Sequence, residues 1–181
     1  AVLEAVAAAA GWQRRPAPKP EASRTGMTTG RGVALIEYGD PPNQTWVAMV
    51  AEVAVDPASG LVRVPRIVVA HDCGLVVNPD GVRNQIEGNV LQSVSRTLHE
   101  EVQFDASGVT SLDWRSYPIL TFEEVPERVE IVLVDRPDLA PTGAGEATTV
   151  PTAAAISNAI FDATGVRLRR VPFTPERVQA A

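Results

Sequence analysis

The chain is organised around ten residues late in the sequence, Thr142-Gly143-Ala144-Gly145-Glu146-Ala147-Thr148-Thr149-Val150-Pro151. Pro151 suits the first turn of a helix, where its missing N–H would have no partner in any case. The helix is predicted to run from Pro151 to Thr164 and to stop at Gly165, a residue that often follows a helix C-terminus. Glu146 is therefore expected on a loop just ahead of a helix N-terminus.

The lone carboxylate of this loop has two interpretations. Glycines on the loop let another molecule approach the backbone closely, and a carboxylate among small residues is suited to act as a general base. The same pattern is also typical of a plain glycine turn with a solvated glutamate. A single loop does not separate these alternatives, because inference of an active site from one feature is probabilistic.

Composition narrows the class of protein. The 181 residues are 45% hydrophobic and 21% charged, which is typical of a globular domain with a real core. A net charge of −6 argues against a nucleic-acid partner, since phosphate binding requires a basic face. The single cysteine, Cys73, excludes a disulfide framework or a cysteine-rich metal site within this chain. No apolar run approaches the ~18 residues of a membrane span.

The first 29 residues are predicted to form a separate N-terminal segment, with the main domain over residues 30–181. A helix is expected from Ala1 to Trp12, followed by an exposed proline-rich connector over residues 14–24. Because the helix begins at residue 1 without a cap, the sequence is interpreted as a piece of a longer chain. Any export signal would lie elsewhere, so the cellular compartment stays open.

The main domain is predicted to be α+β, with a mixed or antiparallel sheet packed on two helices, residues 79–100 and 151–164. Strands are expected at residues 32–38, 45–55, 61–70 and 129–134, the second and third forming a hairpin across residues 56–60. The alanines of the second helix should let it pack closely on a neighbour. Residues 114–122 are expected to be irregular and partly buried, and residues 167–178 to form an extended tail.

The first of these helices carries two patterns. Its core stripe recurs every four residues: Val82, Ile86, Val90, Val94 and Leu98. A second side is rich in amides around a glycine: Gln85, Gly88, Asn89 and Gln92. A helix side of this kind lets a ligand come near the backbone and offers it donors and acceptors. The alternative is an ordinary polar face in solvent.

The segment His71-Asp72-Cys73-Gly74 follows the third strand and suggests a metal site or a Cys–His nucleophile. Neighbouring strand side chains point to opposite faces, so adjacent residues rarely meet on one metal. A free cysteine is usually a small buried hydrophobe. The segment is therefore interpreted chiefly as a buried strand end, with a hydrolase that uses Cys73 and His71 as the alternative.

Four segments together carry a resemblance to a known family. They are His71-Asp72-Cys73-Gly74 with Asn78-Pro79, then Asn84-Gln85-Ile86-Glu87-Gly88, then Gly143-Ala144-Gly145-Glu146, and finally residues 158–170. In order and spacing they resemble the C-terminal part of the molybdenum-binding subunit of the xanthine dehydrogenase/aldehyde oxidase family. The resemblance is strongest to the bacterial branch of isoquinoline 1-oxidoreductase β subunits, and it covers nearly the whole chain.

The resemblance implies a molybdenum hydroxylase that oxidises an aldehyde or an N-heterocycle with oxygen derived from water. Glu146 would be the base beside the metal, and Gln85 would hydrogen-bond the cofactor. Gly145 and Gly88 would let the cofactor approach. The cofactor would be molybdenum–molybdopterin, in the plain or the cytosine dinucleotide form, and the pterin rather than the protein would hold the metal.

The resemblance also implies partners: the rest of the molybdenum subunit and an iron–sulfur subunit that carries 2Fe-2S clusters. The family's upstream glycine-rich loop is absent here, and Ala147 stands where many members have proline. The chain alone is therefore expected to be inactive. The alternative hypothesis is a scaffolding module that stabilises a partner subunit without chemistry of its own.

Overall fold

The computed structural model describes residues 1–19 and 26–181. Part of the predicted connector, residues 20–24, lies outside the described residues. The elements in chain order are α1 (Val2–Ala9), β1 (Thr28–Tyr38), β2 (Thr45–Asp56), β3 (Leu61–Asp72), α2 (Pro79–Leu98), β4 (Phe104–Asp105), β5 (Gly108–Val109), β6 (Arg128–Leu133), α3 (Thr149–Thr164) and α4 (Pro175–Gln179).

The main sheet is mixed and has the strand order β1-β2-β3-β6. Strands β1, β2 and β3 pair antiparallel, while β6 lies parallel to β3. The antiparallel strands follow one another through short turns, because such pairs need only a hairpin. The parallel strand is reached through α2, since a parallel pair requires a long crossover. The predicted α+β class with a mixed sheet is confirmed.

Helices cover both faces of the sheet. On one face α2 and α3 enclose the larger core, to which β2 contributes Val47, Met49, Ala51 and Val53. On the other face α1 packs through Val2 and Val6 against Ala48 and Val50 of the same strand. Burial on both faces explains why β2 is an almost continuous apolar run and not an alternating one. The division of the chain at residue 29 stays a prediction.

Helix α3 lies directly on the backbone of β1. A Cβ atom added to Gly32 would stand 2.1 Å from the carbonyl oxygen of Ala155, and one added to Gly30 would stand 2.2 Å from that of Ala159. Only glycine allows so close an approach. The prediction that the alanine-rich helix packs closely on a neighbour is confirmed. This contact fixes the position of the middle and the C-terminal half of α3 against the sheet.

Two expectations about irregular segments hold only in part. Residues 114–122 are irregular as predicted, and Tyr117 and Leu120 are half-buried, but other side chains of the segment are not buried. Within residues 114–122, Trp114 is 78% exposed and Phe122 is 96% exposed. Local turns satisfy the backbone there, as where Asp113 accepts from the N–H of Ser116, so that burial is not required. The expected extended tail ends in α4, because Thr174 caps the helix and Pro175 fits its first turn.

Within the described residues, no helix combines the length and the apolar character needed to cross a bilayer.

Candidate functional site

The site is built on the loop between β6 and α3, residues 142–148. The loop is tied at its start to the end of β3, where the N–H of Thr142 donates to the carbonyl of Cys73 over 2.8 Å. The hydroxyl of Thr45, the first residue of β2, donates to the carbonyl of Gly143 over 2.7 Å. The loop backbone is therefore held by two neighbouring strands of the sheet before it reaches Glu146.

Helix α2 meets the same loop through Gln85. Its side-chain amide donates to the carbonyl of Gly145 over 3.3 Å. A cleft of about 250 Å³ opens between α2 and the loop. Its lining includes Asn78, Gln85, Thr142 and Gly145. Two stretches that lie 60 residues apart in the chain thus form the walls of one cleft.

Glu146 lies just before α3 with its side chain exposed. Its carbonyl accepts hydrogen bonds from the N–H of Thr149 over 3.0 Å and from the Thr149 hydroxyl over 2.8 Å. These bonds fix the backbone at the carboxylate. The two residues that follow, Ala147 and Thr148, are fully buried. The carboxylate therefore projects outward from an anchored position at the helix N-terminus.

The hydroxyl of Tyr38 donates a hydrogen bond to the carboxylate of Glu146. This bond is also the main cause that raises the pKa of Tyr38 above its ordinary value, because ionisation of the phenol would remove the donated proton; the negative charge of Glu146 adds a smaller effect in the same direction. Sequence reasoning missed Tyr38 and Thr45. No local sequence signal marks them, because their approach to the loop depends on the register of β1 with β2, in which the two residues pair.

The amide-rich side of α2 is not one continuous surface. Gly88 is exposed, and nothing lies within 4 Å of a Cβ atom added there. Asn89 is buried, and its side-chain nitrogen has no hydrogen-bond partner in the described part of the chain. Gln92 is exposed and accepts from Arg96 over 3.0 Å. Among the four residues of the amide-rich side, only Gln85 contacts the loop that carries Glu146. The role of Gly88 stays a prediction.

His71 and Cys73 are both buried at the end of β3. Burial lowers the pKa of His71 to about 4 and outweighs the attraction of Asp72, so the ring is neutral near pH 7. Its Nδ1 lies 3.3 Å from the hydroxyl of Thr148. Burial raises the pKa of the Cys73 thiol, whereas a nucleophilic cysteine needs a lowered pKa and access to solvent. The segment is a buried strand end and does not form a Cys–His nucleophile.

Among residues 1–19 and 26–181, no three His, Cys, Asp or Glu side chains are grouped so that they could hold a metal ion. The cleft is lined by apolar side chains, among them Leu75, Val77 and Val82, together with the amides of Asn78 and Gln85 and the hydroxyl of Thr142. A mostly apolar lining with a few amide and hydroxyl groups suits an organic ligand, and it does not suit a bare cation.

Comparison with known protein families identifies the family to which the chain belongs. Residues 3–126 match the model of a molybdopterin cofactor-binding domain. The chain belongs to this family, that of the molybdopterin-binding subunits of xanthine dehydrogenases and aldehyde oxidases. The matched part of this molybdopterin-binding chain includes β1, β2, β3 and α2, with Gln85. The family resemblance expected from the four sequence segments is confirmed.

Relatives and solved structures agree with the match. The chain is 47% identical to one subunit of the nicotinate dehydrogenase of Pseudomonas putida, over 99% of its own length and 15% of the relative's. It is 32% identical to the β subunit of isoquinoline 1-oxidoreductase from Brevundimonas diminuta, over 99% of this chain and 21% of that protein. The crystal structure of quinoline 2-oxidoreductase from Pseudomonas putida 86 superposes with a TM-score of 0.69, at 30% identity, over 77% of this chain and 19% of that one.

The chain therefore spans about a fifth or less of the length of these relatives. The family consists of molybdopterin-dependent oxidoreductases, and this chain corresponds to one part of the molybdenum-binding subunit.

The residues present fit a pterin cofactor. The side-chain amides of Asn78 and Gln85 line the cleft, and Gly143, between the lining residues Thr142 and Ala144, would leave open space even with a Cβ atom in place. Open backbone beside an amide is the surface that a flat, polar heterocycle can approach.

Proposed function

We propose that the chain forms one wall of the active site of a molybdenum hydroxylase, with Glu146 as its base. The observation that carries the proposal is the hydrogen bond from Gln85 to Gly145. It places the glutamine of α2 and the Gly-Glu loop in one cleft, although nothing in the local sequence requires them to meet. A general base must lie within reach of the group it deprotonates, and Glu146 directly follows Gly145, which lines the cleft.

The residues that would hold the cofactor are Gln85, through its side-chain amide, and the backbone near Gly145 and Gly88. When bound, the molybdenum cofactor supplies an acidified water-derived nucleophile and accepts the electron pair of the substrate. We propose the molybdopterin or the cytosine dinucleotide form. The amide of Gln85 already donates to Gly145, so it can exchange this bond for one to the cofactor without moving far.

Glu146 accepts the proton that the nucleophile gives up. One carboxylate oxygen takes the hydrogen bond from Tyr38, which leaves the other oxygen available for the proton. The backbone of Glu146 is held by Thr149, so the carboxylate turns about its own side-chain bonds only. Positioning of this kind accounts for much of what a catalytic base contributes to rate.

The substrate class is an aldehyde or an N-heteroaromatic compound, and we favour the second. Two of the relatives, nicotinate dehydrogenase and isoquinoline 1-oxidoreductase, have names that refer to N-heteroaromatic compounds. The cleft in this chain contributes the cofactor side, so the contacts that select one heterocycle belong to the remainder of the subunit.

The partners we propose are the rest of the molybdenum subunit and an iron–sulfur subunit with 2Fe-2S clusters. The segment that links α2 to β6 in the chain carries several large, exposed apolar side chains, among them Phe104, Leu112, Trp114 and Phe122. Exposed apolar groups in such number are typical of a surface that another protein segment covers. We assign this surface to the rest of the molybdenum subunit, because the relatives are several times longer than the chain.

The test is a Glu146→Gln substitution in the complete enzyme, with molybdenum and pterin content measured beside turnover. The amide keeps the shape and cannot take the proton, so we expect kcat to fall by about 10²–10⁴-fold with cofactor content unchanged. The matched control is Glu37→Gln, an exposed carboxylate that points to the opposite face of β1 from Tyr38. The control variant is expected to keep the full rate.

A second substitution, Gln85→Ala, tests the cofactor contact separately. It should lower the molybdenum and pterin content per chain. Full turnover in Glu146→Gln would instead favour the alternative, a scaffolding module in which neither residue takes part in chemistry.

A further inference from the structure

We propose that Tyr38 is a positioning residue that orients the carboxylate of Glu146, an inference that rests on the proposed function of Glu146 as base. Tyr38 ends β1, more than a hundred residues before the loop, and its hydroxyl donates to the carboxylate. Within residues 1–19 and 26–181, this is the one hydrogen bond that the Glu146 side chain accepts.

The place of Tyr38 in the sheet supports this role. Tyr38 pairs across the β1–β2 hairpin with Thr45. The two residues reach the same loop at different points, since Thr45 donates to the carbonyl of Gly143 and Tyr38 to the side chain of Glu146. One cross-strand pair therefore holds both the backbone and the carboxylate of the loop. Because the pair belongs to the sheet, the loop takes its position from the β1–β2 hairpin.

The chemistry of the tyrosine hydroxyl suits this task. Its ring is half-buried and packs against the larger core, so the hydroxyl has a fixed location. The hydrogen bond from it occupies one carboxylate oxygen and directs the other away. A misplaced base loses much of its rate advantage, since displacement by about 1 Å can cost up to about a hundredfold.

The first experiment is Tyr38→Phe in the complete enzyme. Phenylalanine keeps the ring and removes the hydroxyl, so we expect about a tenfold loss of kcat, with KM and the molybdenum content unchanged. The matched control is Tyr117→Phe. Tyr117 makes the same type of bond, to Glu100 over 2.8 Å, at the opposite end of α2 from Gln85. A loss of rate as large in Tyr117→Phe would overturn the proposal.

A double-mutant comparison separates this inference from the function on which it rests. If Tyr38 acts through Glu146, Tyr38→Phe should lower kcat no further in an enzyme that already carries Glu146→Gln. If Tyr38→Phe keeps full turnover while Glu146→Gln is inactive, the positioning role of Tyr38 is contradicted and the role of Glu146 as base is not. Full turnover in Glu146→Gln would remove the proposed function, and the titration described next then decides whether the contact exists.

The contact can be measured without activity. The 181-residue chain has two tyrosines, so Tyr117→Phe leaves Tyr38 as the sole tyrosine. The ionisation of its ring can be followed by the carbon resonance at Cζ as the pH is raised. We expect Tyr38 to ionise at a higher pH in this chain than in the same chain with Glu146→Gln, because the hydrogen bond to the carboxylate favours the neutral phenol and the carboxylate charge opposes the tyrosinate. Equal ionisation in the two chains would overturn the proposal.

Discussion

Replacing Gly32 with alanine should separate α3 from the sheet, and the structure gives the size of the effect. The added Cβ would meet the carbonyl oxygen of Ala155 at 2.1 Å and the backbone nitrogen of Ala159 at 2.3 Å. Ordinary contact begins at 3.4 Å, so the helix backbone must retreat by roughly 1.3 Å. Neither atom belongs to a flexible side chain that could turn aside.

The retreat has a cost in packing. Both Ile156 and Ile160 of α3 are fully buried in the larger core and would lose contact with the sheet. Substitutions that overfill a packed core usually cost about 1–3 kcal/mol. We expect about 3 kcal/mol for Gly32→Ala, because the obstacle is backbone on the helix side. For a domain of this size that corresponds to a melting temperature lower by about 6–12 °C.

The assay is thermal unfolding of the 181-residue chain, followed by circular dichroism. The matched control is Gly88→Ala, also a glycine in a regular element, where nothing lies within 4 Å of the added Cβ. Alanine in a helix interior is favoured over glycine by about 1 kcal/mol, so the control should melt slightly higher than the unmodified chain. A Gly32→Ala variant that melts at or above the unmodified chain would refute the close packing of α3 on β1.

Three further effects follow from buried or open positions. Gly88→Ala should stabilise the isolated chain and yet lower the molybdenum content of the complete enzyme, if the cofactor approaches Gly88; unchanged content would exclude that approach. His71 binds its proton in the unfolded chain below about pH 6.5 but in the folded chain only below about pH 4, so stability should fall by about 3 kcal/mol as the pH drops through this window. Denaturant unfolding at several pH values checks this, and a His71→Gln chain should lack that part of the slope. Burial raises the pKa of Asp162, but the hydrogen bonds from Arg15 and from the N–H of Arg31 outweigh it and hold the pKa below its ordinary value. Asp162 therefore stabilises the fold above about pH 4 and less as the pH falls further. Asp162→Asn should lower the free energy of unfolding by about 2 kcal/mol at pH 7 and weaken its dependence on pH in the acid range. An unchanged dependence in the acid range would contradict this.

The antiparallel strands β1, β2 and β3 could be predicted from the sequence, because turn-forming residues mark the ends of these strands. Turn residues at 40–43 and 56–60 separate the apolar runs, and β1, β2 and β3 lie where those runs are. Helix α3 ends at Gly165 as expected, in the left-handed conformation with φ of 76°. It begins two residues before Pro151, since Thr148 and Thr149 continue the turn that Glu146 starts.

Hydrophobicity alone is a poor guide to residues 114–122. Aromatic residues there suggested burial, but a core forms only where another element covers the side chains, and Trp114 has no such cover within the described residues. The tail after Arg167 contained a usable signal in Thr174-Pro175, which caps and starts α4. A cap followed by proline predicts a helix even where only a short stretch follows.

The candidate site shows a different limit. Gln85 and Glu146 could be linked from the sequence only through the family resemblance, because contacts between distant segments leave no trace in local spacing. Tyr38 and Thr45 could not be found at all, since their approach to the loop depends on the register of β1 with β2. That register places both residues at the hairpin end nearest the loop.

The most direct measurement of the central claim is the molybdenum and pterin content of the native protein, purified with whatever co-elutes, together with the mass of the assembly. We predict near-stoichiometric molybdenum and pterin per chain in an assembly larger than 19.3 kDa. A folded protein that carries neither molybdenum nor pterin, in any assembly, would contradict the claim that this chain forms a wall of a molybdenum site.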